Sequence, residues 1–483
     1  MHALVLLVAI VAEDPAVLRN APRDDAPAQA TLWRGDWLEV RGETAGFLKV
    51  YDHRHERPGY VRPQVVRVHR LDEGSAPELA SVVRFLRDAG GSESLGIGYA
   101  ALFLRAAPAA ADTTEVFAAI GTMADRLARR ASGRKTTMRD AALAGHLEVA
   151  ASYGVRFESV DGDLTEGAAR LCYDGEAWAR VLATPGAAPV EKARAALFLA
   201  GTRCQPVLLP PAKQRAFNDR RLEALGDVDP AALTSWLGGR VRLARAEALA
   251  WRAFDEARSH EAGHDDGSAA KDEASAVKEL ALTDRGTLAP EDLARYDETA
   301  MRVAAGRWAG EPAPHDLRKR GVTITMTPRA PGETCVRVVA ASGAPANDTA
   351  MPLAERCTYG VVWTSALRWA PSGTVATLAV QPLPSWTELW VVRRGADAWS
   401  IETLTPATTE PDVGYVESAG FSPDGARLLV VREARVAGRA TRKFQVLDAS
   451  TLAVEIQCGD VAKLSAFKRW QAAWWKVGTL ALR

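Results

Sequence analysis

The stretch Val17–Val68, VLRNAPRDDAPAQATLWRGDWLEVRGETAGFLKVYDHRHERPGYVRPQVVRV, decides how the rest of the 483-residue chain is read. Short apolar runs at Thr31–Trp33, Trp37–Val40, Phe47–Tyr51, Tyr60–Arg62 and Val65–Val68 are separated by turn formers at Arg34-Gly35-Asp36, Thr44-Ala45-Gly46 and Pro58-Gly59. Trp37, Glu39 and Arg41 alternate with Leu38 and Val40, and Phe47 and Lys49 with Leu48 and Val50. Period-two alternation is the mark of strands with one buried face. Five strands so short and so evenly punctuated predict a small closed barrel.

The order of the pieces resembles a bacterial SH3-like (SH3b) domain: Leu18, Arg19 and Pro22 lead, followed by Leu32, Gly35, Asp36, Leu38–Val40, Gly42 and Glu43. Then comes FLKV (Phe47–Val50), where that family usually carries W.KV, and finally Gly59–Val61. The resemblance covers about a ninth of the chain. It implies a module that tethers exported proteins to cell-wall peptide or glycan and contributes no catalytic residue. Trp33, Trp37, Phe47, Tyr51 and Tyr60 are the candidate lining of a ligand groove. The competing role for the same rings is filling a barrel too small to do without them.

Working outward, the chain is too long for one core, so about two to four domains are expected. Lys+Arg and Asp+Glu both number 60, and this balance gives no electrostatic case for nucleic acid or anionic lipid as partner. The ten-residue run Ala3–Ala12, ALVLLVAIVA, is too short to span a bilayer and long enough for the apolar part of a signal peptide. No Lys or Arg precedes it, so residues 1–12 read as a possible signal peptide or as a first strand. No other segment has the composition of an integral membrane span. The five cysteines lack CxxC spacing, which argues against zinc ribbons and thioredoxin-type chemistry. Two local pairs, Cys172 with Cys204 and Cys335 with Cys357, are plausible disulfides; five buried thiols in a cytoplasmic protein are the alternative.

Beyond a barrel over 13–70, residues 76–309 read as an Ala-rich helical domain interrupted by one β-hairpin, Val155–Val160 with Ala169–Tyr173. Residues 310–320, Pro-rich and charged, read as a linker. From 321 to 483 the pattern is strand-like. Trp369–Gly373 (WAPSG) and Phe421–Gly425 (FSPDG) open two echoing units, and they resemble the turn of WD40-like and TolB-like propeller blades. Only about three blades are present where a ring needs at least four, so an open stack of meanders is expected, with Trp470, Trp474 and Trp475 covering its end.

The one catalytic-looking string is His260-Glu261-Ala262-Gly263-His264. In a zincin, HExxH sets two imidazoles one helical turn apart on zinc with the Glu as base. Here the flanking Arg258-Ser259 and Asp265-Asp266-Gly267 are residues that end helices, and both His fall opposite the apolar stripe of Trp251 and Phe254. A solvated helix end is the preferred reading. His53-Arg54-His55-Glu56 reads as a solvated barrel turn, His146 and Glu148 do not share a helix face, and Gly96 and Gly98 suit close packing inside a helix.

The sequence thus predicts a multidomain α+β protein: an SH3-like β-barrel, a helical middle with one hairpin, and an antiparallel β region resembling an incomplete propeller. The expected function is non-enzymatic binding of peptidoglycan or a protein peptide in the periplasm or outside the cell, without cofactor and without nucleic acid. It also expects no sheltered cavity in which ionisable groups from different modules converge. The alternatives are a zinc metallopeptidase centred on His260, Glu261 and His264, and a cytoplasmic interaction scaffold.

Overall fold

The computed structural model describes residues 6–109, 113–132, 139–160, 170–206, 209–259, 267–312, 317–341, 351–408 and 411–478. The chain divides into two compact units, one of residues 1–210 with 224–228, the other of residues 211–223 with 229–483. The helices expected as one domain over 76–309 are therefore shared between the units. Each unit joins helices to a sheet.

In the first unit, seven short strands form one antiparallel sheet: β1 (Leu7–Val11), β2 (Ala16–Arg19), β3 (Ala28–Leu32), β4 (Trp37–Thr44), β5 (Phe47–Asp52), β6 (Arg57–Val61) and β7 (Val66–Arg70). Their spatial order is β3-β2-β6-β5-β4-β1-β7, so the ladder ends at β3 and β7 and does not close into the barrel expected from sequence. Two strands, β1 and β2, lie outside the five read from sequence, and β1 sits between β4 and β7. Closure is only one way to protect an edge; β7 is protected by the charges of Arg67 and Arg70.

Val8–Val11 are apolar without alternation because β1 is buried there on both faces. Ala9 and Val11 point into the sheet's own core with Leu18, Leu32, Leu38, Val50 and Val61. Val8 and Ile10 point the other way, into a core built with the helices that follow. These are α1 (Ala76–Asp88), α2 (Glu93–Ala106), α3 (Thr113–Ala131) and α4 (Arg139–Ser152). The hairpin β8 (Phe157–Val160) and β9 (Arg170–Tyr173) pairs with Phe157 opposite Tyr173, and α5 (Glu176–Ala183) and α6 (Pro189–Leu199) complete the unit. Cys172 on β9 and Cys204 beyond α6 are joined, their Cα atoms 5.9 Å apart. The bond ties the hairpin to the end of the helical pair.

The second unit takes the larger part of α7 (Pro211–Gly226), with α8 (Ser235–Ser259), α9 (Ser268–Ala281) and α10 (Pro290–Gly306). Three four-stranded meanders follow. The first is β10 (Arg318–Lys319), β11 (Val322–Pro328), β12 (Thr334–Ala340) and β13 (Ala354–Thr358), with Cys335 bonded to its cross-strand neighbour Cys357. The second is β14 (Val361–Trp369), β15 (Val375–Leu383), β16 (Trp386–Arg394) and β17 (Trp399–Leu404). The third is β18 (Gly414–Phe421), β19 (Arg427–Val436), β20 (Arg439–Asp448) and β21 (Val454–Cys458), joined to the second by a short parallel pairing of β16 with β18.

The meanders stack face to face. Val322, Ile324, Val336 and Val338 pack on Leu367, Leu378, Val380 and Trp390, and Val375, Leu389 and Val391 pack on Val416, Leu428 and Val430. Two short helices, α11 (Ser465–Trp470) and α12 (Ala473–Gly478), put Phe467 and Trp475 over the last face, where Trp470 and Trp474 also pack. The first strands of the second and third meanders lean on helices: Val361 and Trp363 on Phe254 and Trp308, Val413 and Tyr415 on Met301, Ala304 and Ala305. Sheet hydroxyls also satisfy carbonyls at the end of α10, Thr387 Oγ1 donating to Ala305 O at 2.8 Å and Ser365 Oγ to Trp308 O at 2.7 Å.

One buried carboxyl here sets a pH dependence. Burial pushes Glu273 up from its ordinary 4.5 to about 8, against the pull of nearby Arg307. The folded state holds this proton more tightly than the unfolded chain, so the associated stability is full below pH 4.5 and is lost as pH rises to about 8. Glu273→Gln is expected to flatten the stability of the second unit over that interval and to exceed wild type at pH 8 by on the order of a few kcal/mol. Thermal unfolding of both proteins across the range checks it; parallel curves would contradict it.

Candidate functional site

In the first unit a half-open cleft of about 450 Å³ lies between the sheet and helices α2 and α4. The sheet side supplies Asp36, Trp37, His53 and Arg54; the helical side supplies Ala101, Leu102, Leu104, Arg105, Ser152 and Tyr153. Ionisable groups from two structural layers therefore converge, contrary to the expectation that no such cavity forms. The residues lie far apart along the chain, and packing alone brings them together.

Close backbone approach sets the cleft's position. Gly98 on α2 sits so near the Gly35 turn that a Cβ there would lie 2.6 Å from Gly35 O. Gly35, with φ +97°, has no room either, since its own Cβ would meet Ser94 O at 2.2 Å. With α2 seated on that turn, Ala101 and Arg105, further along the helix, come to line the cleft beside Trp37.

The floor is polar and fixed. Asp36, 3% exposed, accepts from the Trp33 backbone N–H at 2.8 Å and from Arg54 Nη2 at 2.7 Å. Burial pushes its carboxyl up, and the Arg54 charge opposes that. Arg54 also reaches Glu148 at 3.1 Å, while its buried Nε–H meets no acceptor. Burial, with the Asp36 charge adding to it, holds the Tyr153 phenol well above its ordinary range. It stays a donor, giving its proton to Gly35 O at 2.5 Å.

The rim is a stack of flat groups. The Arg105 guanidinium lies 4.7 Å from the Trp37 ring centroid, and His53 stacks on Trp37 at 5.1 Å with planes 9° apart. Tyr51 meets His53 edge-on at 4.9 Å, and His53 Nε2 is 2.9 Å from Glu39. Register explains the row: His53 directly follows the residues of β5 that face β4, and Glu39 lies opposite Tyr51, so Trp37, Glu39 and Tyr51 share the sheet's outer face. Lys49, two residues before Tyr51, lies opposite Tyr60, which extends the same face.

Of the five aromatics singled out from sequence, Trp37 lines the cleft, and Tyr51 and Tyr60 lie along the face leading away from it. Phe47 is buried beneath the Arg62 guanidinium, 4.0 Å from its ring centroid. Trp33 instead packs against α4, edge-on to His146, whose Nε2 lies 2.7 Å from Asp14. Burial acts to raise Asp14, but hydrogen bonds from His146 and Arg34 outweigh it and bring the carboxyl down to about 2. His146 and Glu148 thus serve different partners, as their spacing predicts.

The motif residues His260, Glu261 and His264 lie outside the described residues. Among the described residues, Cys335, Glu355 and Cys357 lie close enough together to hold a metal ion, but both sulfurs are committed to the disulfide. No family model matches this chain, and no curated protein and no solved structure matches it either. Among the described residues, no helix is long and apolar enough to cross a membrane.

Proposed function

We propose that the chain is a non-enzymatic binding protein of an oxidising compartment, periplasmic or secreted, which holds cell-wall peptide or a protein peptide in the cleft of its first unit. The observation that carries this reading is the cleft itself, where a guanidinium with an unmet N–H and an aromatic rim surround an apolar wall. Pockets of this size, with few polar groups among apolar ones, suit small ligands or single residues of longer ones. The antiparallel sheet of short strands supports the SH3-like reading of the module. On this reading the stacked meanders are an incomplete propeller serving as scaffold or partner surface.

The paired cysteines favour export, since disulfides persist mainly in oxidising compartments. Co-sedimentation with purified peptidoglycan tests the binding. The full chain is expected to pellet, and Trp37→Ala, which removes the rim's central ring, is expected to weaken retention about tenfold. Absence of sedimentation by the wild-type chain would rule out the wall as ligand.

A further inference from the structure

We infer that the cleft recognises a free carboxylate bearing an apolar side chain, in the form of the C-terminal residue of a peptide. The inference rests on the reading of the cleft as a ligand site and adds the chemistry of the ligand.

Charge decides the head group. Within the cleft Arg54 is balanced by Asp36, and Glu148, outside the lining, reaches it as well. Arg105, exposed at the rim, has no carboxylate partner among the described residues and is held only over the Trp37 ring. Among the residues that line the cleft, two guanidiniums thus face one carboxylate, Asp36, and one positive charge is left without a counter-charge. A single carboxylate placed beside Arg105 supplies that counter-charge. A phosphate dianion would bring a second charge for which nothing compensates, and a nucleic acid needs a run of cations that this face, with Glu39 and Glu148, does not present.

Shape decides what the carboxylate carries. A second cavity of about 140 Å³ shares Ala101, Leu104 and Tyr153 with the cleft and is walled further by Ile97, Phe117 and Val155. Glu176 and Arg180 also line this cavity, and an apolar side chain entering past Tyr153 contributes by leaving water where it meets Ile97, Leu104, Phe117 and Val155.

The exit decides that the ligand is a chain end. From Trp37 the outer face of the sheet continues through His53 and Tyr51 toward Lys49 and Tyr60, an open aromatic row along which the preceding residues of a peptide can lie. A peptide whose terminus sits beside Arg105 has this row as its path outward.

Isothermal titration of the full chain with Ala-Ala-Phe, as free acid and as C-terminal amide, tests this. The acid is expected to bind about tenfold or more tightly than the amide, the loss of one charge-assisted contact. In Arg105→Gln, a change at an exposed position, that preference should largely vanish while thermal unfolding stays unchanged. Equal binding of acid and amide would overturn the carboxylate inference and leave the cleft a ligand site. Binding of neither would also overturn it, and co-sedimentation with peptidoglycan then decides the broader reading separately: retention keeps it and absence removes the wall as ligand.

Discussion

Replacing Ile10 by aspartate is expected to unfold the first unit. Ile10 is fully buried on β1, the strand paired with both β4 and β7, and its side chain fills the core shared with α1 and α2. The substitution removes that apolar surface and leaves a carboxylate with no paired cation, a combination beyond the 2–5 kcal/mol typical of deleting a large aliphatic side chain. Ile10→Val, which keeps the shape, should cost only about 0.5–1.5 kcal/mol. Limited proteolysis and near-ultraviolet circular dichroism check the pair. A folded Ile10→Asp protein would mean that β1 is dispensable and that residues 7–11 are not integral to the sheet.

The second large effect is expected at Arg307. This guanidinium is 4% exposed, lies 2.9 Å from the equally buried Glu417, and covers the Trp308 ring at 4.0 Å. Glu417 in turn accepts from Trp475 Nε1 at 2.8 Å, so the pair anchors the C-terminal helix over the last meander. Arg307→Ala strands that carboxylate and is expected to cost the second unit about 3–5 kcal/mol. Adding Glu417→Gln should recover part of the loss, because the penalty comes mainly from the orphaned charge. Arg427→Ala, which breaks an exposed pair with Glu455, serves as the control and should leave stability nearly unchanged, because solvent screens that pair. Equal effects at Arg307 and Arg427 would contradict the assignment.

Much of the local structure was legible in the sequence because it depends on local chemistry. Pro77, Pro189, Pro211 and Pro290 each open a helix, and the Gly373 and Gly425 turns take positive φ and close with bonds to Ala370 O and Ser422 O. The hairpin after α4 and both cysteine pairs follow from elements that bring their ends together over short separations.

Properties set by what an element packs against were not legible. β1 is covered on two sides, so it lacks the alternation that marks a half-buried strand, which left the run readable as a first strand or as the apolar part of a signal peptide. Helical periodicity says that a face is buried and is silent about the partner, which is why helices of both units read as one domain. The cleft shared that fate. Arg54 sits in a string that reads as a solvated turn, Arg105 near a helix end, and Tyr153 just past another, with nothing in their spacing to link them. Gly96 and Gly98 were the one available hint, since small residues inside a helix signal close approach; the sequence does not say that Gly98 approaches the Gly35 turn.

A ligand held in the cleft of the first unit shields the backbone that lines it. Hydrogen–deuterium exchange of the full chain, with and without soluble wall-derived peptide, tests it most directly. Protection is predicted over residues 35–55, 97–106 and 150–155, with the stacked meanders unchanged. Protection confined to the second unit would place the binding site elsewhere and contradict the claim.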